Sequence, residues 1–162
     1  MTMTHIRVFD YVNQPYDRVR DLLTSDPKAV FARATKSAEA RAENVAAQLR
    51  VELGAVRVAT DIEISIERVE ETPASGRKAP VTRVQFEWKA AESPHLFPLM
   101  SAELSVYPLT ATETQLEFSG DYEPPLKLFG SVVDALVGHR IAEAAVHRFV
   151  SEVNSYLKAA LA

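Results

Sequence analysis

Several stretches of this chain alternate apolar and polar residues with period two, and that alternation restricts the fold more than any other feature. Val84, Phe86 and Trp88 alternate with Arg83, Gln85, Glu87 and Lys89. Met100, Ala102, Leu104 and Val106 alternate with Ser101, Glu103, Ser105 and Tyr107. Leu116, Phe118, Gly120 and Tyr122 stand opposite Glu117, Ser119 and Asp121. Successive side chains of a strand point to opposite faces, so each run has one apolar and one wet face. That is the pattern of an antiparallel sheet covered on one side. Only helices at the two ends of the chain remain to cover it.

Residues 4–12 predict a first strand, stopped by Asn13-Gln14-Pro15. Pro15 suits the first turn of a short helix that carries Tyr16, Val19, Leu22 and Leu23 and ends near Thr24. Asp26-Pro27 offers a second helix start, with Asp26 as N-cap. From Pro27 to Ala47 the chain predicts one or two helices, with a possible break at Thr35-Lys36-Ser37. Their apolar content is mostly alanine, which predicts loose packing. Leu49, Val51 and Leu53 predict a strand, turned by Gly54-Ala55. A long strand follows, placing Val56, Val58, Thr60, Ile62, Ile64 and Ile66 on one face, with a phase slip near Arg68-Val69 that predicts a bulge.

Residues from about Leu126 to Leu161 predict a closing helix. Ala142, Ala145, Val146, Phe149, Val150, Val153, Tyr156 and Leu157 share one arc. Phe129, Val132, Val133, Leu136, Val137 and Ile141 fall on another, rotated by roughly 150°. Either the helix breaks or bends near Gly138, or its first third meets a different surface. The expectation is a single α+β domain over residues 1–162, with six or seven strands on a long C-terminal helix.

Composition narrows the function classes. The 162 residues are 47% apolar and 25% charged, as in ordinary globular proteins. With no cysteine, disulfides, thiol nucleophiles and Cys-ligated zinc are all excluded. That suits a reducing cytoplasm. The first residues lack a basic stretch followed by an apolar run, so no signal peptide is expected. The longest apolar stretch is broken by Asp134, His139, Arg140, Glu143 and His147, so no membrane span is expected. A net charge of −4 with scattered Lys and Arg argues against a nucleic-acid partner.

The order strand, two helices, antiparallel strands, long closing helix resembles the START-like, or SRPBCC, superfamily of pollen-allergen-like and polyketide cyclase/lipid-transport proteins. The opening strand running into Asn13-Gln14-Pro15-Tyr16-Asp17-Arg18-Val19 carries part of the likeness. The closing stretch from Gly138-His139-Arg140-Ile141 to Val150 carries the rest. The resemblance implies a helix-grip fold and a cavity between sheet and helix for a hydrophobic small molecule or lipid. It implies no cofactor and no particular chemistry.

Pocket candidates on the inner face and the helix are Thr60, Ile62, Ile64, Phe86, Trp88, Met100, Leu104, Phe118, Tyr122, Phe129, Val133, Leu136, Val137, His139, Arg140 and Ile141. Leu96 and Phe97, between prolines, either gate a cavity mouth or tuck into the core. The inner face holds no carboxylate or imidazole, so an acid or base must come from helices or loops. Gly120 marks either sheet curvature or room for a ligand. His139, Glu143 and His147 form one helical stripe, but the two histidines lie about 12 Å apart along the axis. A metal site is not expected. Three readings stand open: a hydrophobic-ligand binder, a cyclase- or aromatase-like enzyme using Tyr122, His139 or Arg140, and a module that docks a protein partner.

Overall fold

A computed structural model describes the backbone of residues 4–53, 62–90, 99–123 and 131–162. Side chains are described for 4–45, 62–89, 100–122 and 139–162. The elements are β1 (Thr4–Val12), α1 (Tyr16–Ser25), α2 (Pro27–Leu53), β2 (Ile62–Thr72), β3 (Val81–Ala90), β4 (Leu99–Thr110), β5 (Glu113–Glu123) and α3 (Ser131–Ala160). The five strands form one antiparallel sheet in the order β1-β5-β4-β3-β2. This is an α+β helix-grip arrangement, with the C-terminal helix against the sheet.

The described residues hold five strands rather than six or seven. The stretch Leu49–Leu53, expected as a strand, continues α2. Val45, Leu49 and Leu53 also stand four residues apart, and helical spacing wins. Nor does α2 break at Thr35, whose hydroxyl donates to the Phe31 carbonyl one turn back, at 2.8 Å. Asp26 caps it as expected: its carboxylate accepts from the Ala29 N–H at 3.1 Å. The predicted bulge appears as a register shift between Ile66 and Arg68.

The alternating residues of the strands face inward, and α3 lays its predicted arc on them. Ala142, Ala145, Val146, Phe149, Val150, Val153 and Leu157 are all buried. Phe149 is the hub, with its ring centroid 5.1 Å from Phe31, 5.8 Å from Phe86, 5.5 Å from Trp88 and 6.1 Å from Phe118. Each such side chain contributes roughly 1.5–3 kcal/mol by leaving water. The rings fill the centre of the space between helix and sheet.

Alanine does not make α2 pack loosely. Ala34, Ala38 and Ala42 are fully buried, and α2 lies along α3. Side chains this small bring two helix backbones close, so the alanine stripe is a tight seam. Helix α3 is continuous through Gly138, so it does not break there. Gly120 leaves room for its neighbours' side chains. A Cβ there would stand 2.6 Å from Met100 Sδ and 3.0 Å from the Phe118 ring.

Candidate functional site

One rung of the sheet runs Ile64, Trp88, Met100, Tyr122, Thr4 across all five strands. It lies at the end where β3 hands over to β4 and β5 hands over to α3. Its inward side chains end the ring cluster on that side. Trp88 is fully buried, and among the described residues its indole Nε1–H has no hydrogen-bond partner. A buried donor left unpaired costs about 1–3 kcal/mol.

Tyr122, two positions along the rung, is also buried, and its hydroxyl lies 2.7 Å from Nδ1 of His139 on α3. The rings are stacked at 22° with centroids 6.2 Å apart. One turn later, Glu143 places a carboxylate oxygen 2.9 Å from His139 Nε2. Burial raises the Tyr122 pKa above the usual tyrosine value of 10.0; a hydrogen bond with Thr4 opposes this and the Glu143 charge adds to it. The Glu143 carboxylate can only accept, so in the neutral imidazole Nε2 carries the hydrogen and Nδ1 accepts from the Tyr122 hydroxyl. Tyr122, His139 and Glu143 form a hydrogen-bonded chain from the core to the surface. Histidine and glutamate are about half exposed, at 43% and 52%.

No family model matches the sequence, and no curated protein matches it. Several solved structures are similar to this chain. The Zhui aromatase/cyclase from a Streptomyces species is 15% identical, with a TM-score of 0.48 over 99% of this chain and 94% of that one. A START superfamily protein from Mycobacterium smegmatis is 9% identical, with a TM-score of 0.49 over 96% and 98%. Norcoclaurine synthase from Thalictrum flavum is 10% identical, with a TM-score of 0.45 over 96% and 87%.

Of the sequence candidates, Trp88, Met100, Tyr122 and His139 come together at this end, with Ile64 at the outer limit of the rung. Phe86 and Phe118 pack into the ring cluster, and Leu104 and Ile141 are buried core residues. Ile62 starts the edge strand, where its N–H is held by the Glu39 carboxylate at 2.7 Å. Arg140 is exposed beside a groove between α2 and α3. Thr60, Leu96, Phe97 and Phe129 lie outside the described residues. Val133, Leu136 and Val137 belong to α3, but their side chains lie outside the described set.

The sequence placed Glu143 only in a helical stripe with His139 and His147. The signal for its role was the His-x3-Glu spacing, which sets the two side chains on one helix face. The fold also assembles a cluster that strand alternation alone could not show. On the outer face, Asp121 Oδ1 lies 2.8 Å from His5 Nδ1, and Ser119 Oγ lies 3.3 Å from His5 Nε2. The order matches a Ser-His-Asp array, yet β5 has neighbours on both sides that occupy its backbone N–H groups. Exposed on a sheet face, without oxyanion donors of its own, the cluster serves to tie β1 to β5.

Proposed function

We propose that this protein binds a small, largely apolar molecule carrying a hydrogen-bond acceptor. The ligand sits at the end of the inner sheet face where Trp88, Tyr122 and His139 meet. The observation that carries this reading is the unpaired Trp88 Nε1–H: a buried donor seeks an acceptor, and a ligand carbonyl or hydroxyl would supply one. The ring cluster around Phe149 blocks the centre, so the ligand occupies this end only. The resemblance noted in the sequence implies the same ligand class. Lack of cysteine fits a cytoplasmic setting.

Trp88 is the only tryptophan, so its fluorescence reports directly on the site. Titration with fatty acids and apolar carbonyl compounds should change that fluorescence saturably, at about micromolar strength. Trp88→Phe, followed by calorimetry, should weaken binding roughly tenfold by removing the donor. A hydrophobic library without one saturable binder would overturn the proposal.

The Tyr122–His139–Glu143 chain favours a second reading, a cyclase- or aromatase-like enzyme. Tyr122 would give its hydroxyl proton to a substrate carbonyl and recover one from His139 Nδ1, after His139 has taken up a proton from solvent. Screening polyketide-like substrates tests this. Activity that survives both Tyr122→Phe and His139→Ala would rule out that role.

A further inference from the structure

A groove of about 770 Å³ runs between α2 and α3 on the side away from the sheet. Among the described residues, its lining carries three arginines and one histidine. Arg41 comes from α2, and Arg140, His147 and Arg148 come from α3. Among the described lining residues, the single carboxylate is Glu143, which is engaged by His139 at 2.9 Å. Arg148 reaches Glu152 only at 4.0 Å, and Arg41 has no ion pair among the described residues. Val45 and Ala144 form a small apolar floor.

These arginines stand together in a chain of net charge −4. A concave wall of one sign focuses its field and raises the local concentration of opposite charge. Guanidinium groups match phosphate oxygens in bidentate geometry, which lysine cannot do. Arg140 and Arg148 stand eight residues apart on α3, so the cationic wall spans about 12 Å. A length this short, with Glu152 beside Arg148, suits one or two phosphate groups better than an extended nucleic-acid strand.

We propose that the groove between α2 and α3 binds a phosphate-bearing ligand, gripped by Arg41 from one helix and by Arg148 from the other, with Arg140 adding its charge beside them. The site is distinct from the Trp88 end of the sheet and stands whether or not that end binds a ligand. The phosphate could belong to a soluble molecule or to a lipid headgroup, and two probes separate these.

Inorganic pyrophosphate is titrated against the full chain at matched ionic strength, with amide chemical shifts along α2 and α3 as the readout. Flotation with vesicles of phosphatidylcholine, with and without phosphatidylglycerol, is the second arm. Saturable shifts without flotation identify a soluble phosphate ligand. Flotation that depends on phosphatidylglycerol identifies a headgroup. In either case Arg41→Glu with Arg148→Glu should weaken binding at least about tenfold, with an unchanged circular dichroism spectrum. Both residues are exposed, so the charge reversals should leave the core intact. No saturable response in either arm, or equal binding by the double variant, overturns the proposal.

Discussion

The two ends of the inner sheet face treat buried polar groups in opposite ways. At the end near β1's finish, Tyr16 and Thr82 share a 2.7 Å hydrogen bond, and the Thr114 hydroxyl donates to the Gln14 carbonyl at 2.7 Å. All three side chains are buried and paired. Six residues along β3, roughly 20 Å away, Trp88 is just as buried and has no partner among the described residues. A core that satisfies its polar atoms at one end and leaves a donor open at the other is sealed on one side. The difference points to where a guest molecule would be accommodated.

The largest expected effect comes from removing the barrier between the ends. Phe149→Ala should cost about 3–5 kcal/mol in chemical denaturation and leave a cavity that joins them. A loss below about 1 kcal/mol would mean that the ring cluster is not the divider described here. Thr82→Val should cost about 1–3 kcal/mol, because it strands the Tyr16 hydroxyl inside the core. Tyr122→Phe should cost less, about 1 kcal/mol, since His139 is half exposed and can turn to water.

Trp88→Phe should lie within about 1 kcal/mol of the parent without ligand, because relief of the unpaired donor offsets the lost volume. A large loss instead would show that the indole N–H is satisfied, and the contrast between the ends would fall. The smallest effect concerns pH. Burial raises the pKa values of Tyr122 and Tyr107, the latter helped by its hydrogen bond to Glu117. Above pH 10.0 the unfolded chain loses protons that the folded chain keeps, so stability declines as pH rises. Denaturation curves on either side of that pH should show the decline, and Tyr122→Phe should reduce it.

Period-two alternation made most of the sheet legible, because one covered face forces it: Phe86, Trp88, Leu104 and Phe118 all point where the pattern put them. The closing helix was legible from Ala142 onward for the same reason. Leu49–Leu53 misled because residues two apart and four apart satisfy both periods at once. The alanine stripe misled because composition reports how apolar a surface is and not how closely two backbones approach. The meeting of Tyr122 with His139 depends on how α3 lies against the end of β5, and local pattern carries no trace of that. The pairing of His5 with Asp121 needs the β1–β5 register, which spans most of the chain.

That same β1–β5 pairing has a consequence for how the molecule comes into being. Thr4 faces Tyr122, so the first strand can find its partner only after nearly all the other strands have been made. Such long-range closure slows folding, because the chain gives up loop entropy before the contact rewards it. During synthesis, β1 would wait with Ile6, Val8 and Val12, all buried in the finished fold, still uncovered and with an unpaired edge on both sides. Chaperone dependence in a growing chain should therefore end when β5 emerges and the sheet closes on its oldest strand.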